Sequence, residues 1–166
     1  MQNKIKNLIK CKVCGNEDLI KVLTLDEQYL SPTFVKTNEN NPLAKIKSPL
    51  SLVLCDKTKN INNCGLLQLK EITEADLLYR DYFYRTATND TMKKDLNELV
   101  SQVLDIVKPS NQDVIVDIGS NDCTMLNFYS SKFNLVGFEP AQNIKFIDEG
   151  KNIKIINNYF NSKNFK

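Results

Sequence analysis

The chain has 166 residues, 42% of them hydrophobic and 25% charged, with a net charge of +2. That length makes one ordinary domain, or two small ones if something besides apolar burial stabilises the smaller. No run approaches the roughly 20 apolar residues of a membrane span, the opening MQNKIKNLIKCKVC lacks the apolar stretch of a secretory signal, and basic residues are dispersed, so the expectation is a cytoplasmic protein with neither a membrane nor a nucleic-acid partner.

From residue 11 to about residue 70, short apolar runs are broken by Pro32, Pro42 and Pro49, the pattern of small strands and loops. Four cysteines lie here: Cys11 and Cys14 in CKVCG, then Cys55 and Cys64, the latter opening CGLLQL. Residues 51–55 read as a strand and residues 66–69 as its hairpin partner. Between them, residues 56–63 have no apolar period and read as a loop. Two thiolates three positions apart, followed by a glycine that lets the backbone curl around the sulfurs, make half of a metal site. The second pair is wider, but loop entropy grows only slowly with length. A reducing compartment argues against a disulfide framework. With no histidine in the chain, four thiolates would close a tetrahedral site and leave no open position, which predicts a structural Zn2+ held by Cys11, Cys14, Cys55 and Cys64. The other reading of these residues is buried cysteines acting as small hydrophobes. With the metal and four thiolates counted, the net charge falls to zero.

The next segment, LLYRDYFYRTATND, is rich in aromatics. After it Met92, Leu96, Leu99, Val100, Val103, Leu104 and Val107 recur at helical spacing, with Asn89 or Thr91 as the cap and Pro109 closing the end. The apolar stripe reads as core. The remainder alternates: a strand at 114–119, a helix at 124–133, a strand at 135–140, a helix at 141–150 and a strand at 154–160. Such alternation implies a parallel sheet with crossovers, and three strands make about half of a doubly wound sheet. In VIVDIGSNDCTML a strand ends in an acid, turns at Gly119 and enters a helix, an arrangement that lets a nucleotide approach the backbone closely. Glu139, 22 residues beyond Asp117, stands where a second strand presents a carboxylate to ribose hydroxyls.

The segments CxxCG, PLSLVLC with CGLLQL, DYFYRTATN, and DIGSNDCTML with GFEPAQNI together resemble the S-adenosylmethionine-dependent sugar C-methyltransferase family, which carries an N-terminal zinc-binding domain. The match runs from about Cys11 to Phe160. It implies an α/β fold: a small four-cysteine zinc-binding domain with short β-strands over residues 1–75, a tyrosine-rich linker and amphipathic helix over 76–110, and the first half of a Rossmann-like methyltransferase sheet over 111–166. It also implies S-adenosylmethionine as cofactor and a nucleotide-linked keto-deoxysugar as substrate. By the same resemblance Asp117, Gly119, Ser120, Asn121 and Asp122 surround the methionine and ribose, Glu139 takes the ribose hydroxyls, and Pro140 and Ala141 flank the adenine. Tyr82 and Tyr84 match a segment facing the active site, where a phenol could orient the sugar or assist proton transfer. The alternative for both is packing between domains.

Three departures stand out. Cys123 replaces a family glycine, which at positive φ costs about 1–2 kcal/mol and would aim a side chain at the ligand. The 56–63 loop replaces a two-residue gap. Family enzymes also continue well beyond this length, with the histidine and acidic residues that serve as base. The expectation is therefore the N-terminal part of a C-methyltransferase, incomplete for catalysis on its own and active only with a second chain carrying the remainder, or not at all. A zinc-ribbon binding module for a protein or nucleic-acid partner is the competing reading.

Overall fold

The computed structural model describes residues 5–31 and 45–165; the segment breaks at Pro32 and Pro42 lie outside them. It divides into two compact units, Met1–Leu78 and Tyr79–Lys166.

In the first unit β1 (Ile5–Asn7) pairs with β5 (Glu71–Thr73), and β2 (Leu19–Tyr29), β3 (Lys47–Cys55) and β4 (Leu67–Leu69) form an antiparallel sheet in that order. The expected hairpin is present, with Leu52 opposite Leu69, Val53 opposite Gln68 and Leu54 opposite Leu67. The length of β2 exceeds what its mixed composition suggests. Its pairing with β3 continues past register shifts between Lys21 and Leu23 and between Leu25 and Gln28. Alternation along β3 sends Ser51, Val53 and Cys55 inward. Glu71 then ties β5 to β3 by accepting from the Ser51 amide (2.9 Å) and hydroxyl (3.1 Å). A short helix, α1 (Ala75–Tyr79), ends this part of the chain.

The second unit holds a 3-10 turn (Thr86–Thr88), α2 (Asp90–Val107), β6 (Val114–Ile118), α3 (Thr124–Phe128), β7 (Asn134–Phe138) and β8 (Lys154–Ile156). The α2 boundaries follow the capping residues. Asn89 accepts from the Met92 amide at 3.0 Å, and Lys108 in the left-handed region ends the helix before Pro109. Of the apolar stripe, Val100 is fully buried and Leu104 packs on the core, while Leu99 is 46% and Val107 64% exposed. The reading of the whole stripe as core is thus corrected: only its middle is covered.

Strands β6, β7 and β8 are parallel and adjacent in that order, a Rossmann-like half sheet. Between β6 and β7 the predicted helix stops at Phe128. Tyr129 turns extended, and Tyr129 and Phe133 pack edge to face at 6.5 Å in the core with Cys123, Leu126 and Leu135. The Ser130 carbonyl accepts from the Phe133 amide at 3.2 Å, a turn suited to the serine pair that follows the helix. The second predicted helix, 141–150, is absent. Its polar groups bond outward instead. The Ile147 amide donates to the Asp122 carbonyl (2.9 Å), Asn127 donates to the Ile147 carbonyl (2.8 Å), and the Glu149 amide donates to Asn127 (2.9 Å). No helical ladder can compete with partners already made by the rest of the unit.

Gly137, near the end of β7, is where the sheet and the turn after β6 meet. A Cβ there would stand 2.7 Å from the Ser120 hydroxyl and 3.2 Å from a Leu126 methyl. Gly137→Ala is expected to destabilise this unit by about 1–3 kcal/mol through overpacking, read as a lower denaturant midpoint at unchanged slope.

Candidate metal centre and cofactor cavity

The two cysteine pairs form matching turns. In the first, the Gly15 amide donates to the Cys11 carbonyl at 3.0 Å; in the second, the Gly65 amide donates to the Cys55 carbonyl at 3.1 Å. Both glycines have φ near +75° (Gly15 +75°, Gly65 +77°), where a side chain would be strained. The 56–63 loop is therefore an insertion into an intact turn. Asn63, 2% exposed, closes it by donating to the Asp56 carbonyl (2.6 Å) and Asp18 (3.3 Å) and accepting from Asn16 (2.7 Å).

The four sulfurs converge within 4.8 Å of one another, with Cys11 to Cys64 at 3.4 Å and Cys14 to Cys55 at 3.5 Å. A tetrahedron of Zn–S bonds near 2.3 Å spaces its sulfurs by about 3.8 Å, so the constellation fits the ion. Gln68 was not singled out by the sequence, but its inward position in β4 was the available signal. It donates to Cys11 Sγ (3.3 Å) and accepts from the Lys12 amide (3.2 Å), fixing a ligand from behind. Without a cation the thiols separate electrostatically. The backbone amides of Cys14 and Val13 bring Cys11 down to about 6, and the Asn16 amide lowers Cys14. Burial, then the Cys14 thiol, pushes Cys55 up to about 12; against the pull of the Leu66 amide, burial and the Cys11 and Cys14 thiols raise Cys64. Four coexisting thiolates require a positive ion among them.

In the second unit the turn after β6 uses three left-handed residues, Gly119 (φ +80°), Asn121 (φ +50°) and Cys123 (φ +69°). Cys123 does carry the expected backbone strain. Its side chain does not aim at a ligand, however: it is fully buried in the core, 3.8 Å from the Ser120 hydroxyl. Burial pushes this thiol up to about 11.

Asp117, Gly119, Ser120 and Asn121 line a cavity of ≈160 Å³ together with Thr86, Met92, Leu96 and Met125. Nothing lies within 4 Å of where a Gly119 Cβ would be. Burial, and then the charge of Glu139, pushes Asp117 up to about 6. Thr86, Met92, Leu96 and Met125 were missed because two of them sit in the helical stripe read as core.

The other predicted residues stand around the cavity and not in its lining. Asp122, 2% exposed, accepts from the Thr124 amide and hydroxyl (3.2 and 2.6 Å) at the start of α3 and from the Ala87 amide (2.8 Å). Glu139, 5% exposed, accepts from the Asn121 amide (2.9 Å) and the Ala141 amide (2.8 Å). Ala141 is buried next to it, and Arg80 donates to the Pro140 carbonyl at 3.3 Å. The Tyr82 ring stacks obliquely on Tyr79 and Phe83, with centroids at 6.3 and 5.5 Å. The Tyr84 hydroxyl is buried with no hydrogen-bond partner among the described residues. No described helix is long and apolar enough to cross a membrane.

Residues 11–79 match the family described as "Putative zinc binding domain". The chain is also similar to the C-methyltransferase NovU of Streptomyces niveus, 24% identical over 157 residues, which is 94% of this chain and 36% of that protein. The resemblance read from the sequence is therefore found again in a comparison that spans about a third of the relative's length. The family match and the cysteine cluster support zinc binding in the first unit.

Proposed function

We propose that this chain carries the zinc-binding and cofactor-binding portions of a C-methyltransferase that acts on a nucleotide-linked keto-deoxysugar. In this reading Cys11, Cys14, Cys55 and Cys64 hold a structural Zn2+, and S-adenosylmethionine lies against the turn after β6. The observation that carries it is the cavity lined by Asp117 and by Gly119, where a Cβ on the glycine would meet nothing within 4 Å. At ≈160 Å³ it is smaller than the roughly 300–1,000 Å³ of whole-ligand pockets, a size suited to the amino-acid end of the cofactor. When bound, the cofactor supplies a methyl group made electrophilic by its sulfonium. The chain's own part is orientation: Asp117 faces the cationic end, Gly119 allows close approach, and Thr86, Met92 and Met125 exclude water from one side. Tyr82 and Tyr84 belong to the sugar side. The base that removes the sugar proton comes from polypeptide beyond these residues or from a second chain. The binding-module reading is weaker, because charges on the metal unit are mixed, as in the Lys10–Glu17 pair at 3.2 Å.

The test is calorimetric titration of chain carrying one zinc with S-adenosylmethionine and S-adenosylhomocysteine at several pH values. Asp117 is held up at about 6 in the free chain, and a cationic ligand favours its charged form. Affinity for S-adenosylmethionine should therefore rise as pH increases from 5 to 7, with proton release on binding below about 6. Asp117→Asn should flatten that profile. Zinc-loaded chain that binds neither compound at any pH would overturn the reading.

A further inference from the structure

The cavity has a wall that comes from outside the sheet. Residues 80–88 run across the turn after β6 as a strap, delivering Thr86 to the cavity. The strap has few regular backbone bonds of its own; apart from the Gln142 amide, which donates to the Arg80 carbonyl at 2.9 Å, it is held by side chains. Asn121 accepts from the Thr86 amide (3.0 Å) and donates to the Tyr84 carbonyl (3.1 Å), and Asp122 accepts from the Ala87 amide. At its other end Asn143, in the loop after β7, makes a reciprocal pair with the backbone of Tyr82. Its Oδ1 accepts from the Tyr82 amide (3.1 Å) and its Nδ2 donates to the Tyr82 carbonyl (3.2 Å). Arg85 completes the interlock by donating to the Asn143 carbonyl (2.7 Å), the Tyr84 carbonyl (2.9 Å) and the Tyr82 carbonyl.

We propose that Asn143 is a positioning residue, clamping the tyrosine strap so that Tyr84 and Thr86 stand at the cofactor cavity. The proposal rests on the cofactor reading above. Its geometry has a reason. An asparagine amide is the one neutral side-chain group of this length that can satisfy both the N–H and the C=O of a single residue, as a neighbouring strand would. Asn143 is itself exposed, so removing it leaves no buried group unpaired and no cavity in the core. That is suited to a clamp whose release opens the strap without unfolding the sheet. It also reassigns Asn121 and Asp122. Their side chains bond the strap, so they hold the wall of the site, Asn121 from within its lining and Asp122 from behind it.

The experiment is Asn143→Ala in the zinc-loaded chain, with Arg85→Lys as a second variant that loosens the same interlock from the strap side. Amide hydrogen exchange and S-adenosylhomocysteine titration are measured on both. The informative amides are those of Thr86 and Ala87, which do not bond to Asn143. Their exchange should rise by about fivefold or more, while that of β6, β7 and α3 stays at the wild-type rate. Affinity for S-adenosylhomocysteine should fall by a similar factor. Unchanged Thr86 and Ala87 exchange would make Asn143 a local turn residue and overturn the proposal, as would faster exchange throughout the unit. Strap release with unchanged affinity would overturn it as well. Failure of the wild-type chain to bind would count against the cofactor reading, and the exchange data alone would then decide the clamp.

Discussion

Cys55→Ala, or removal of the metal by a strong chelator, is expected to unfold the first unit while leaving the second intact. Among the described residues of the first unit, the buried apolar side chains are Cys11, Val53 and Cys55. The other buried groups there, Ser48, Ser51, Asp56, Asn63 and Gln68, are polar. Burial of one valine cannot offset the conformational entropy of ordering such a segment, so among the described residues the core of this unit is the sulfur cluster. A structural zinc supplies roughly 10–16 kcal/mol at neutral pH, comparable to or larger than the whole stability of a typical domain. Losing one thiolate of four should therefore reduce bound zinc from one per chain to nearly none. It should also abolish the β2-β3-β4 pairing, seen as collapse of those amide resonances. The resonances of Leu126, Phe133 and Leu135 should persist, since their core holds none of the four cysteines. Dispersed β2 and β3 signals in metal-free chain would show that the strands stand without the ion.

How far the sequence foretold this depends on where each element finds its partners. The β3–β4 hairpin, α2 and the three parallel strands were legible because their signals are local: alternation, helical period, capping residues and short apolar runs. The cysteine site was legible because two close-spaced thiolates followed by a glycine, with a second pair downstream, are a local metal-site signature. What failed was decided at long range. Residues 141–150 have a composition that tolerates helix, yet their backbone is claimed by Asp122 and Asn127, which the sequence places about twenty positions earlier. The helix after Cys123 stops early because Tyr129 and Phe133 both turn into the core. Asn121 and Asp122 stand in the turn after β6 and Glu139 directly follows β7, but spacing cannot say whether a polar group faces a ligand or the chain's own amides. Gln68 and Asn143 act through partners 57 and 61 positions away and carry no local mark.

Glu139 gives the sharpest test of that distinction. The residue is 5% exposed, and each carboxylate oxygen already accepts a backbone amide, Asn121 on one and Ala141 on the other. Asn157 holds the same residue's carbonyl at 2.7 Å. If the side chain's main work is building the turn, Glu139→Ala leaves two amides unpaired in a buried site and should cost about 3 kcal/mol of stability. Glu139→Gln keeps one acceptor but sets an NH2 against the other amide, so it should cost about 1–2 kcal/mol. It also removes the negative charge that helps to hold Asp117 up at about 6. The pH range over which S-adenosylmethionine binding strengthens should then move downward in Glu139→Gln, a shift that a simple loss of contact would not produce. Denaturant melts and titrations at stepped pH measure both effects. A Glu139→Ala chain as stable as wild type that has lost binding would instead place the carboxylate on the ribose, as the resemblance implies. Stability and affinity falling together, with the pH shift in the glutamine variant, would make Glu139 the support that holds the Asn121 amide and the Asp117 charge where a cationic ligand meets them.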